Sequence, residues 1–172
     1  MMEVYSIIQR TNWGTLRVAA GRGEEIPLLI HQFIDAEYLE EAASAAADLF
    51  DLICREVIEE TAVPVTTIFV ALLNRTDFKW RALALQILDL VARSVLNQQT
   101  APWMIRIRRD TKLGKRAYAE LSRAKPLVER LLEEADPEVR AVAGRFFTRL
   151  ALPIGSAIPR LIRLYGDEQN PV

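Results

Sequence analysis

The stretch K-P-L-V-E-R-L-L-E-E-A-D-P-E-V-R-A-V-A-G-R-F-F-T-R-L, Lys125 to Leu150, decides the fold. It carries two apolar stripes at helical spacing with a short turn between them. Pro126 suits the first turn of a helix, where a missing N–H leaves no intrahelical bond unmade. Leu127, Val128, Leu131 and Leu132 then fall at i, i+1, i+4 and i+5, one stripe of a helix. Asp136 is a good N-cap and Pro137 fits the position after it. Val139, Val142, Ala143, Phe146, Phe147 and Leu150 form the apolar face of the second helix.

An earlier stretch repeats that second helix. D-F-K-W-R-A-L-A-L-Q-I-L-D-L-V, Asp77 to Val91, aligns without a gap on Asp136 to Leu150. The aspartate, the arginine four residues on and the alanine three after it coincide. The spacing allows Asp136 and Arg140 to meet across one turn, as it does Asp77 and Arg81. Trp80 falls on the Val139 position and is expected in the core. One such helix pair cannot bury its apolar face alone, so neighbours must stack on it. The reading is an all-α solenoid of stacked antiparallel helix pairs, over 1–172 as a single domain.

The segment P-L-V-E-R-L-L-E-E-A-D-P-E-V-R-A-V-A resembles a HEAT-type repeat, with its early proline and its D-x-x-V-R-x-x-A opening the second helix. The resemblance implies a HEAT/armadillo-like superhelix. Such arrays include scaffolds, inhibitors, a few DNA glycosylases and bilin lyases. Upstream, W-G-T-L-R-V-A-A-G-R-G-E-E-I-P-L-L-I, A-A-A-D-L-F-D-L-I and E-E-T-A-V-P-V are similar to a bacterial family of HEAT-repeat proteins of mostly unassigned function, over roughly residues 13–92. Many of its members carry His-Gln-Gly after the long helix, where this chain has Cys54-Arg55-Glu56.

The remaining segments are placed around these repeats. Residues 1–24 are expected to form an N-terminal cap, with a helix from Trp13 to Ala20 closed by Gly21 and Gly23. Glu25 to Ile34 and Leu39 to Ile58 are the next helices, the second rich in alanine. Pro64 opens another, and Asp77 opens the aligned one, running to Val95 or Leu96. Residues 97–124 read as a basic insertion: a loop at N-Q-Q-T-A-P-W, an extended M-I-R-I-R-R, then an amphipathic helix from Thr111 to Arg123 with Leu113, Ala117, Tyr118 and Leu121 inward. A final helix is expected from Ser156 to Tyr165.

Charge is unevenly spread. Residues 1–60 hold four arginines and no lysine against twelve carboxylates, a net of −8, while residues 61–172 carry a net of +7. A dipolar chain of this kind draws partners by either end. No apolar run approaches a membrane span and no secretory signal is read at the start, so a cytoplasmic protein without a membrane partner is expected. One cysteine, Cys54, excludes an internal disulfide and fits a reducing compartment.

Candidate chemistry is thin. Glu56, Glu59 and Glu60 cluster, but a solvated helix face explains them better than an acid–base pair. His31 is the sole histidine and has no second ligand at metal spacing. Cys54 reads as a buried small residue. No catalytic residue, cofactor or metal site is assigned. The leading reading is therefore a non-enzymatic module that binds another protein, a basic one such as a toxin, through a row of outward positions on the second helices. That row comprises Glu41, Asp48, Asp51, Lys79, Gln86, Asp89 and Arg145. Small inhibitors and immunity proteins are the fold-level analogy. The alternative is nucleic-acid binding, related to the HEAT-like glycosylases, through Trp103, Arg106, Arg108, Arg109, Lys112, Lys115 and Arg116.

Overall fold

A computed structural model describes residues 2–54, 58–100 and 111–150, with the side chains of 97–100 and 111 excepted. It is all-α. Eight helices make up the described residues: α1 (Met2–Arg10), α2 (Glu25–Asp35), α3 (Leu39–Ile53), α4 (Ala62–Leu73), α5 (Arg81–Thr100), α6 (Thr111–Arg123), α7 (Lys125–Leu131) and α8 (Pro137–Leu150). A short 3-10 turn covers Trp13–Thr15. The only extended pairing among them is an isolated bridge between Cys54 and Ile58.

The helices pack as pairs, α2 on α3, α4 on α5 and α7 on α8. The second members touch in sequence, α3 against α5 and α5 against α8, the last being the most extensive contact among the described helices. α1 and α6 both lie on α4, and α6 also touches α5. This explains the composition of α4, A-V-P-V-T-T-I-F-V-A-L-L, which is apolar nearly all round because it has neighbours nearly all round. Its buried Thr66 satisfies its hydroxyl by donating to the Ala62 carbonyl at 2.7 Å. Phe33 of α2, Phe69 of α4 and Phe78 bring their rings to 5.2 and 5.8 Å around Phe33, joining the first two pairs.

The two aligned stretches fold alike but start differently. Asp136 caps α8 as expected, its Oδ1 accepting from the Glu138 N–H at 2.8 Å. Asp77 does not cap α5. Its carboxylate is held by Arg75, at 2.6 Å from Nη2, and the helix begins only at Arg81. Arg81 accordingly reaches away from Asp77 to Glu134, at 2.8 Å, linking α5 to the turn between α7 and α8. Trp80 is buried as predicted, its Nε1–H donating to the Ala36 carbonyl at 3.2 Å.

Three further boundaries differ from the sequence reading. Trp13 to Ala20 is not a helix. Trp13 buries its ring and donates to the Ile8 carbonyl at 2.8 Å, and the chain then runs irregularly. Ala19 N–H donates to the Leu52 carbonyl at 2.7 Å and the Thr61 hydroxyl to the Arg17 carbonyl at 3.2 Å, so this strap ties the end of α3 to the start of α4. Second, α3 stops at Ile53 rather than Ile58. Third, α5 continues through Asn97-Gln98-Gln99-Thr100, which the sequence reading placed in a loop. The α6 helix matches its expected span, with Leu113, Ala117 and Leu121 buried and Tyr118 half-buried. The extended stretch at 104–109 and the helix at 156–165 lie outside the described residues.

Candidate partner-binding face

The sequence reading put Glu41, Asp48 and Asp51 in one arc of α3. The fold separates them. Leu49, Ile53, Ala42, Ala45 and Ala46 face the core, so α3 presents a ridge with an open groove on each flank. On the α2 side, Glu41, Ser44 and Asp48 join Gln32 and Asp35 around a groove of about 520 Å³. On the α5 side, Asp51 joins Ala43, Ala47 and Phe50, with Leu83, Gln86 and Leu90 opposite, around a groove of about 320 Å³. Among the described residues, neither groove has a basic side chain in its lining. The α2 groove is acidic, with the carboxylates of Asp35, Glu41 and Asp48 in its lining; the α5 groove is apolar with the Asp51 carboxylate at its edge.

Several members of the predicted row are occupied by structure. Glu41 accepts from the backbone N–H groups of Glu37 and Tyr38 at 3.1 and 3.3 Å, which anchors the start of α3. Lys79 lies before α5 begins. Its Nζ donates to the Glu37 carbonyl and sits 4.3 Å from the Trp80 ring centroid, so it stitches the second pair to the first. Asp89 is a correction to the outward row. It is buried, and its Oδ1 accepts from Arg149 Nε at 2.5 Å. Asp48, Asp51 and Arg145 are exposed, and Gln86 is half-buried at the rim of the α5 groove.

The residues proposed for nucleic acid divide. Lys112, Lys115 and Arg116 are exposed and share one face of α6, opposite Ala117 and Leu121. Trp103, Arg106, Arg108 and Arg109 lie outside the described residues. The sequence also singled out three groups that now have plain surroundings. His31 stacks on Tyr5 with centroids 5.3 Å apart. Glu60 accepts from Arg17 N–H at 3.1 Å and pairs with its side chain at 3.5 Å, while Glu56 is outside the described residues. Cys54 is fully buried, and burial pushes its thiol up from 9.0 to about 11 against a lowering hydrogen bond with Ser94 and with a smaller push from Glu59. Such a thiol is a poor nucleophile at neutral pH.

What sequence reasoning missed is the apolar groove. Phe50, Leu83 and Leu90 are only half-buried and line the groove between α3 and α5. The signal was present in the run of alanines at 42–47, since small side chains on one helix leave space above its neighbour. Among the described residues no group of three or more His, Cys, Asp or Glu is arranged to hold a metal ion, and no helix is long and apolar enough to cross a membrane. No family model matches this chain, nor does any curated protein or solved structure match it at a significant level.

Proposed function

We propose that this chain is a non-enzymatic protein-binding module, a HEAT-like stack of three helix pairs whose second helices α3, α5 and α8 form the recognition face. The single observation that carries this reading is the α3 ridge. Its two flanks hold Asp35, Glu41 and Asp48 on one side and Asp51 on the other, with no cation lining either groove among the described residues. Carboxylates held together without counter-charges repel, and a basic partner relieves that repulsion on docking. Complementary charge of this kind acts mainly on the association rate and on the choice of partner. The partner class is a basic protein, such as a nuclease toxin met by a small inhibitor. The test is to capture the cognate partner and measure its association rate with Asp35→Asn/Asp48→Asn. A rate that drops several-fold at low salt and converges with wild type at high salt supports the reading; an unchanged rate rejects it.

A second reading is favoured by one observation of its own. The exposed cations Lys112, Lys115 and Arg116 line one face of α6, a helix that packs on α4 and α5. A surface of that kind binds a phosphate backbone, and its mark is affinity that falls steeply with salt.

A further inference from the structure

The channel between α3 and α5 differs from the acidic groove beside it, and it suits a different part of a partner. Its walls are Phe50 on one helix and Leu83 and Leu90 on the other, all half-exposed. Ala43, Ala46 and Ala47 line it along α3, and the buried Ile87 lines it on the α5 side. Apolar surface left open to water in a channel of about 320 Å³ is a cost that a fitting side chain removes. Ala43 to Asp51 rises about 12 Å along α3 at 1.5 Å per residue, which is two helical turns.

We infer that this channel seats an amphipathic, cationic helix of the partner, which places two aliphatic side chains four residues apart between Phe50 and the Leu83–Leu90 wall. This inference rests on the protein-binding reading and gives it an anchor. The length fits that spacing, because residues at i and i+4 on a helix stand about 6 Å apart on one face. The alanines along α3 let the helix approach closely. Charge fixes the sign of the occupant: Asp51 edges the channel, and the facing α5 rim offers the neutral Gln86. A lysine or arginine flanking the aliphatic pair therefore meets a carboxylate, and a glutamate there meets repulsion. Recognition then follows the helix-in-groove mode.

The experiment uses the full chain and two designed peptides of sixteen residues, helical by side-chain stapling. Each has leucines at i and i+4, and the remaining positions carry lysine in one and glutamate in its twin. The lysine peptide is expected to bind by titration calorimetry at least tenfold more tightly than the glutamate twin. Ala47→Leu fills the channel with a residue that helices tolerate well, and it is expected to weaken the lysine peptide at least tenfold while leaving the circular dichroism and melting temperature unchanged. Asp51→Asn is expected to weaken it three- to fivefold. Absence of binding, equal binding of the twins, or binding indifferent to Ala47→Leu each overturns the channel assignment. Loss of binding in Asp35→Asn/Asp48→Asn alone would move the seat to the acidic groove and overturn this inference, while leaving the basic-partner reading standing. That reading fails separately, if a captured partner associates at the wild-type rate with the same double variant.

Discussion

Asp89 and Arg149 lie 60 residues apart in the chain and meet at 2.5 Å across the seam between α5 and α8. The aspartate side chain is only 12% exposed and the arginine 33%, so the pair sits at the edge of the largest contact among the described helices. Breaking one partner strands the other. Arg149→Met leaves a mostly buried carboxylate without its cation and is expected to cost about 1–3 kcal/mol, below the full value for deeply buried pairs because Arg149 is a third exposed. Replacing both, as Asp89→Leu/Arg149→Met, is expected to recover most of that loss, since apolar residues of similar size tolerate the seam. Urea unfolding of the two single variants and the double gives the coupling directly; a double variant as unstable as the sum of the singles refutes it.

The first loop supplies a contrast between two glycines. A Cβ on Gly23 would lie 2.1 Å from the Trp13 carbonyl oxygen, which is backbone and cannot yield without moving the buried Trp13. A Cβ on Gly14 would meet the carboxylate end of Glu24 at 2.6 Å, and that side chain is exposed and can swing away. Gly23→Ala is expected to destabilise by about 2–3 kcal/mol, in the range of overpacked sites, and Gly14→Ala by less than about 0.5 kcal/mol. Thermal melts of the two variants side by side check this. Similar melting temperatures would mean that the strap after Trp13 adjusts freely.

These cases show which features the sequence made legible. The apolar periodicity of 125–150 and its echo at 77–91 placed α7, α8 and the body of α5, because packing against neighbours is written in side-chain spacing. The start of α5 was not legible: Asp77 and Asp136 are the same residue in the same motif, and only the nearby Arg75 takes one of them out of its capping role. The strap at 16–20 was misread as helix because its bonds run to Leu52 and Thr61, more than thirty residues on. The same limit applied to the binding face. Outward phase could be counted along a helix, but whether an outward aspartate meets solvent or Arg149 depends on where α8 lies.

The thiol of Cys54 gives a pH prediction whose sign is fixed by its direction. Burial raises it from 9.0 to about 11, so between those values the folded protein keeps a proton that the unfolded chain has lost. Stability is therefore full below about pH 9 and falls as pH rises toward 11. A rise of about two pH units corresponds to roughly 3 kcal/mol once the fall is complete. Cys54→Ala is expected to flatten this alkaline slope in urea melts taken from pH 8 to 11. At pH 8 the native thiol is expected to resist a disulfide reagent and to react within seconds of unfolding in urea. Rapid reaction of the folded protein would show that the thiol is open to solvent.

The two functional readings part on salt. Lys112, Lys115 and Arg116 offer three cations on α6, while the chain as a whole carries a net charge of −1 and its first 60 residues carry −8. A nucleic acid approaching α6 feels both. Three phosphate contacts give a slope of about −2 to −3 in log affinity against log salt, and non-specific binding of that size lies at about 10⁻⁴ M or weaker at physiological salt. Binding of a fluorescent DNA or RNA oligonucleotide is therefore expected to be absent below micromolar protein at 150 mM salt, the condition taken as physiological. Sub-micromolar binding that disappears in Lys112→Gln/Lys115→Gln/Arg116→Gln would reverse the ranking. It would make α6 the working surface and leave the carboxylates of α3 as the solvated face of a nucleic-acid-binding protein.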